Sequence, residues 1–471
     1  METRTEHDLL GFLEVPVNAY YGIHSLRAQS NFDLSGQHLY PEMIKGLAEV
    51  KKACAIANAQ IGRLDEKIAD AIGKACDEII AGGFTDQFIT DPFQGGAGTS
   101  ANMNINEVVA NRAIELLGGK KGEYTKVHPN DHVNLAQSTN DAVPTAIRIT
   151  AIRLLNQAIE AMANLKAAFQ TKEKEFAEIL KLGRTEMQDA VPITLGQEFA
   201  AWAKAAERDE RRLRDAAKSL YDVNLGGTAI GTGLNAHPEY VACVVGVLSE
   251  ITELPLVQAE DIIDSTQNCD AFAEVSGLIK SAAVNLAKIA GDLRLMSSGP
   301  RGGFGEISLP PLQAGSSIMP GKVNPVATEV ASQCAFQIMG NDVAITIAAA
   351  GGQLELNAFL PMISHNLFES IRLLSGAATL LADKCVSGIV ANEDKCLGHI
   401  ENSFAMLTAL SPHIGYEAAS ALACEATETG KTIRCVALEK GLFTEKQLDN
   451  ILCPLEMTRP GIVGENSSGR S

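Results

Sequence analysis

The chain has 471 residues, 46% of them hydrophobic but only 5% aromatic, and a formal net charge of −18. Such a length buries a large core and implies more than one domain. The acidic balance excludes nucleic acid or an anionic membrane as the main partner, while a local basic group still admits a small anionic substrate.

With so few aromatics, alanine, leucine, isoleucine and valine must do the packing. That suits long close-packed helices better than sandwiches, whose strands favour β-branched and aromatic residues. Residues 1–38 read as irregular, with Pro16, a turn at Tyr20-Tyr21-Gly22 and Gly36. The opening METRTEHDLLG carries acidic residues and no apolar core of a secretory signal. No apolar run reaches the roughly eighteen residues of a membrane span. The ten cysteines are scattered without CxxC pairs and read as buried thiols of a reducing compartment, so a cytoplasmic location is expected.

Two helices are predicted over 42–60 and 65–81, the second with apolar residues at three- and four-residue spacing (Ile68, Ile72, Cys76, Ile79) and Gly82-Gly83 at its end. A glycine-rich loop, QGGAGTS, then leads into a helix from about Ser100. Backbone N–H groups and hydroxyls at a helix start suit an anion, and neither GxxxxGK[ST] nor a GxGxxG after a strand is present to make it a nucleotide loop. Next come His128 and His132, four apart around Pro129, with no third ligand at a metal spacing; they read as hydrogen-bonding residues of a polar loop. Ser138-Thr139-Asn140 forms a second cluster of hydroxyls and amide.

Residues 141–181 are helical and alanine-rich, and LGRTEMQDAVPITLG breaks the chain around Thr185 and Glu186. A charged helix follows over 197–221, then a loop at GGTAIGTG. Helices are expected over 238–252, 270–297, 325–350 and 363–385, several apolar around most of their circumference and in need of burial by neighbours or other subunits. Beyond about Asn392 the pattern shortens, ending in the polar GENSSGRS tail. The expected division is an N-terminal domain over 1–140, a central helical bundle over 141–393 and a small C-terminal domain over 394–471.

Gln313 to Glu329 read QAGSSIMPGKVNPVATE. Gly315 and Gly321 free the backbone, Pro320 and Pro325 forbid continuous helix, and Ser316, Ser317, Lys322 and Asn324 supply two hydroxyls, an ammonium and an amide. A flexible loop so equipped closes over small anions and expels water. The plainer reading is a polar surface loop.

The same stretch meets every fixed position of GSSxxPxKxNxxxxE, from Gly315-Ser316-Ser317 through Pro320, Lys322 and Asn324 to Glu329. It resembles the signature of the fumarase/aspartase superfamily. Gly98-Thr99-Ser100, Ser138-Thr139-Asn140 and Gly183-Arg184-Thr185 look like that family's other substrate regions, and Arg4, Glu6, Asp8 and Gly11 match its RxExDxxG opening. The flanks AYYGIHSLRAQSNF and QGGAGTSANMN resemble the ammonia-eliminating branch more than the fumarases.

The resemblance implies a mainly α, three-domain subunit whose long central helices join those of three other subunits, with each active site built from three chains. It implies a lyase that deaminates aspartate to fumarate, needs no cofactor and binds no metal in its site, and leaves activation by a divalent cation open. By resemblance Ser316 takes the Cβ proton. Thr99, Ser138, Thr139 and Ser317 hold the β-carboxylate, Lys322, Asn324 and Thr185 the α-carboxylate, and Asn140 the amino group, with Ser100 and Glu186 also expected among the substrate-binding residues. His128 to Asp131 matches a stretch that forms a secondary anion site in fumarases.

Glu186 departs from the family, which places histidine or glutamine there. It is expected either to face the substrate ammonium or Lys322, or to point away and pair with an arginine. Fumarate hydration, elimination from an N-substituted aspartate, and a non-catalytic helical scaffold are the competing readings.

Overall fold

The computed structural model describes residues 2–465, so Met1 and the end of the GENSSGRS tail lie outside the described residues. In chain order it contains strands β1 (Thr3–Asp8) and β2 (Gly11–Pro16), then helices α1 (Ile23–Phe32), α2 (Pro41–Gln60), α3 (Glu66–Ile80), α4 (Thr99–Leu116) and α5 (Thr139–Glu175). Strands β3 (Leu180–Thr185) and β4 (Gln188–Thr194) precede α6 (Leu195–Lys218), β5 (Asp222–Val223), α7 (Pro238–Thr252), β6 (Val257–Gln258), α8 (Ile262–Gln267) and α9 (Asp270–Met296). Then come β7 (Ile307–Ser308), α10 (Val326–Ala350), α11 (Leu360–Leu380), β8 (Val390–Ala391) and five short helices between Glu393 and Ile451. The strands form four two-stranded sheets, so the fold is mainly α.

Two compact units divide the chain. The first comprises Met1–Glu160, Asp209–Val284 and Cys334–Gly376; the second comprises Ala161–Arg208, Asn285–Gln333 and Ala377–Ser471.

In the first unit α2 packs against α3, α4 and α7. Leu47, Val50, Ala53, Cys54 and Ala57 of α2 are fully buried with Ile72 and Cys76 of α3 and Ile105 and Val108 of α4. Small side chains let these axes approach closely, which is where the alanine-rich composition is used. Asp65 caps α3 by accepting from Lys67 N and Ile68 N. At the other end Gly83 N donates to Glu78 O and Gly82 N to Ile79 O, the paired bonds of a glycine-ended helix.

Residues 1–38 are not irregular: β1 and β2 pair antiparallel, Thr3 opposite Pro16 and Asp8 opposite Gly11, and α1 follows. Only Leu13 and Val15 of β2 give the hairpin an apolar face, packed with Ala19 and Ile23, and charged groups hold the rest. Arg4 donates to the carbonyls of Pro16, Ala19 and Tyr21 and to Glu6, while Asp8 takes a two-pronged bond from Arg27 at 2.9 Å on each oxygen. Glu107 of α4 accepts from Gly22 N, His24 N, Ser25 N and Ser25 Oγ, satisfying the free N–H groups at the start of α1. A side chain on Gly22 would lie within 2.8 Å of Glu6, Tyr124 and Glu107, so the turn requires glycine there.

In the second unit Phe176, Phe199 and Trp202 stack edge to face, with ring centroids 5.3 and 4.8 Å apart. The chain break read at LGRTEMQDAVPITLG is a hairpin of β3 and β4. Its base carries a buried charge network: Lys181 pairs with Glu198 at 3.1 Å and Arg184 with the fully buried Glu306 at 2.8 Å. The short C-terminal helices close around Leu410, Leu422, Val436, Leu448 and Ile451.

Removing the Glu107 carboxylate strands three backbone N–H groups in the interior. Glu107→Ala is expected to lower stability by about 3 kcal/mol or more, seen as a fall in the denaturation midpoint. A loss under about 1 kcal/mol would show that water replaces the carboxylate there.

Candidate active site

Ser138 starts α5. Its Oγ accepts from Asn140 N at 3.2 Å, and Asp141 Oδ1 accepts from Ser138 N at 2.9 Å, a reciprocal cap with a carboxylate in the third position. Pro144 cannot donate to the carbonyl of Asn140 four residues back, and Asn224 Nδ2 takes that oxygen instead at 2.9 Å. Asp141 Oδ2 also accepts from Gly226 N at 3.1 Å and Thr228 N at 3.0 Å, while Asn140 Nδ2 donates to Ala229 O at 2.7 Å. The first turn of α5 and the loop 224–229 are therefore bound by four hydrogen bonds.

Together they wall a cavity of about 710 Å³, to which Asn102, Asn134, Gln137, Ser138, Thr139 and Thr228 contribute. Thr99 and Ser100 open α4 beside it in the fold: a side chain on Gly98 would come within 2.9 Å of Val143, so glycine permits the α4 start to lie against α5. Thr99 is exposed, and its hydroxyl donates to Gly96 O at 2.6 Å. The Nδ2 bond of Asn140 leaves its Oδ1 with no protein partner among the described residues, the acceptor an ammonium would need.

His128 and His132 serve the neighbouring turn. His128 Nδ1 accepts from Asn130 N and Asp131 N at 3.2 Å, and His132 Nδ1 accepts from His128 N at 2.8 Å. Burial lowers the His132 ring below the ordinary histidine range, which keeps it a neutral acceptor at pH 7.

The remaining candidates belong to the second unit. Ser316 Oγ accepts from Ile318 N at 3.2 Å and Met319 N at 2.9 Å, so two N–H dipoles point at the hydroxyl oxygen. Asn324 Nδ2 donates to Gly315 O at 3.2 Å and ties the loop ends. Gly315 lies so near Lys322 O that a side chain would overlap it, with only 1.3 Å between them. Ser317 and Lys322 are exposed and bind no other described side chain. Thr185 and Glu186 sit at the hairpin tip, where Glu186 and Met187 adopt φ of 53° and 67° between paired Thr185 and Gln188. Two left-handed residues make the turn type that fits strand twist, normally filled by Asn-Gly. Glu186 is exposed and makes no ion pair among the described residues; the arginine beside it, Arg184, is spent on Glu306.

A family model described as "Lyase" matches residues 11–340, and one described as "Fumarase C C-terminus" matches residues 406–459. The chain belongs to the fumarase/aspartase superfamily of lyases. It is 51% identical to the aspartate ammonia-lyase of Bacillus subtilis (strain 168) over 98% of both chains. Against that of Escherichia coli (strain K12) it is 48% identical over 99% of this chain and 98% of the other. Among solved structures, this lyase superposes on the fumarate lyase:delta crystallin of Brucella melitensis bound to cobalt with a TM-score of 0.94, at 49% identity, covering 97% of this chain and 100% of that one. The class II fumarase of Schistosoma mansoni gives the same TM-score at 35% identity, over 97% of this chain and 99% of that one.

Sequence reading missed Asp141, which organises the cavity, although the Ser-x-x-Asp spacing at a helix start carries the signal. It also treated GGTAIGTG as loop without a role.

Burial pushes the Asp141 carboxyl up to about 6, against the three amides and the Lys51 charge that pull it down, so this lyase carries it ionised at pH 7. A carboxyl that holds its proton more tightly folded than unfolded adds stability below about pH 4, and that stability is lost as pH rises through about 6. The stability of the parent relative to Asp141→Asn should therefore fall by about 2–3 kcal/mol between pH 4 and pH 7, measured from urea midpoints. A difference independent of pH would mean that Asp141 does not titrate as its burial requires.

Proposed function

We propose that this protein is a carbon–nitrogen lyase that reversibly deaminates L-aspartate to fumarate and ammonia, with Ser316 as the base. The observation that carries the proposal is the pair of N–H groups aimed at Ser316 Oγ. A free serine hydroxyl is far too weak an acid to work as a base at neutral pH, and donors aimed at its oxygen favour the alkoxide. The names and near-complete overlap of the relatives support aspartate as substrate.

The alkoxide removes the Cβ proton, and the electron pair moves into the β-carboxylate to form an aci-carboxylate with nearly two negative charges. Its collapse forms the Cα–Cβ double bond and expels ammonia, which leaves as a neutral molecule because the ammonium already carries the needed proton. Ser316 then returns its proton to solvent. The β-carboxylate itself stores the charge, so the step calls for no organic cofactor. Hydroxyls of Thr99, Ser138, Thr139 and Ser317, with Ser100 beside them, stabilise that charge where water is excluded. Lys322, Asn324 and Thr185 take the α-carboxylate, and Asn140 Oδ1 the ammonium.

These residues come from loops of three subunits of a homotetramer. The first unit supports this on its own: Phe336, Val343 and Ile347 share one face of α10 and are 62%, 58% and 67% exposed, a stripe that other copies would cover. Among the described residues no helix is long and apolar enough to cross a membrane. The ten free thiols, five of them buried, favour a cytoplasmic setting.

Ser316→Ala is expected to lower fumarate formation from L-aspartate, followed by ultraviolet absorbance, at least about a thousandfold with assembly intact. Retained turnover would dismiss Ser316 as the base. Incubating the protein with fumarate and either ammonia or water, and identifying the product, separates this reading from fumarate hydration. We further propose that Glu186 acts on the substrate ammonium from its strained tip. Glu186→Gln should then lower turnover severalfold and alter its pH profile, and an unchanged profile would assign the residue to the surface alone.

A further inference from the structure

Lys51 lies in the middle of α2 and is fully buried. Its ammonium has three donors and spends each on a neutral amide oxygen: Asn102 Oδ1 at 2.7 Å, Asn134 Oδ1 at 2.9 Å and Gln137 Oε1 at 2.8 Å. No carboxylate touches it. Taking an ammonium out of water is costly, and a core helix normally recovers that cost through a direct counter-ion. Here no carboxylate bonds to it and Asp141 acts on it only through space, so the field of the ammonium still reaches the neighbouring cavity.

The place where such an anion would lie is on the other side of the same three residues. Asn102, Asn134 and Gln137 all line the cavity that holds Ser138 and Thr139. With their oxygens drawn to Lys51, the amide nitrogens turn to the chain around them. Asn102 Nδ2 donates to Asn134 Oδ1 at 3.1 Å, Asn134 Nδ2 to Gln137 O at 3.1 Å, and Gln137 Nε2 to Val133 O at 3.0 Å. The turn that delivers Ser138 to the head of α5 is thus held by Lys51 on one side and by Asp141 on the other.

We propose that Lys51 is a positioning residue of the anion cavity, fixing the 134–138 turn through three amide oxygens and lending the cavity a buried positive charge that favours a dicarboxylate. This rests on the dicarboxylate reading of the site. The titratable groups around the ammonium are Asp141 from α5, Cys54 on its own helix and Cys76 from α3. Burial pushes Cys54 up to about 12 and Cys76 higher still, so both thiols stay neutral. Burial also brings Lys51 down to about 8. Between about pH 6 and pH 8 both Lys51 and Asp141 are therefore charged, and above about pH 8 the ammonium is lost.

The test is calorimetric titration of succinate, a dicarboxylate with no leaving group, into the assembled protein between pH 6.5 and pH 9.5. In the parent, affinity should fall at least about fivefold as pH rises through about 8. Lys51→Met should bind succinate at least about tenfold more weakly at pH 7 and lose that step, whereas a residue that only filled space would leave the step in place. Lys51→Arg, which keeps a charge at all these pH values, should remove the step while retaining more affinity than Lys51→Met. A parent whose affinity is flat through pH 8 overturns the inference without recourse to any variant, as does Lys51→Met binding like the parent. A parent that binds no dicarboxylate at any pH overturns the functional reading as well, which separates the two failures.

Discussion

Three backbone N–H groups from two distant stretches, at Ser138, Gly226 and Thr228, converge on the carboxylate of Asp141. The cavity of the first unit depends on that convergence. Without an acceptor of fixed geometry, the head of α5 and the loop 224–229 would each need water for their polar groups. A cavity lined by mobile, hydrated backbone stabilises no developing charge, because its dipoles would have to reorient as the charge appears. Burying the carboxylate costs free energy, and its three amide bonds offset part of that cost.

The same device recurs through the molecule. Glu107 satisfies the start of α1, Arg4 gathers three carbonyls of the turn after β2, and Glu306 holds Arg184 and the base of the β3–β4 hairpin. In each case an interior charge is spent on backbone or on opposite charges, so segments with little apolar surface of their own gain a fixed position. The candidate reactive groups are the contrary case: Ser317, Lys322, Thr185 and Glu186 stand exposed on a loop and a hairpin tip.

The long helices were legible because their signal is local and repeated. The reading of α2, α3, α7, α9 and α10 from apolar spacing agrees with the observed bounds to within about two residues. The hairpins of residues 3–16 and 180–194 were not legible, since their strands are short, their apolar residues are interrupted by charges, and their stabilising partners, Glu107 and Glu306, lie far along the chain. The hydroxyl and amide clusters proposed for the site were singled out from signature spacing, which records residue types and not their bonds. Lys51 left no signal at all: a lysine in a helix reads as a solvated face until the packing around it is known.

By itself, then, the sequence determined that the chain is a large, acidic, mainly helical lyase, and it singled out the polar loops proposed to carry its chemistry, because composition, helical period and loop signature are written along neighbouring residues. The tertiary structure alone decided that Asp141 clamps two loops, that two N–H groups point at Ser316 Oγ, that Glu186 sits on a strained tip, and that Lys51 is buried on amide oxygens with no bonded carboxylate. The reason is physical. A charge takes its meaning from burial and from which dipoles surround it, and both are set by residues distant in sequence.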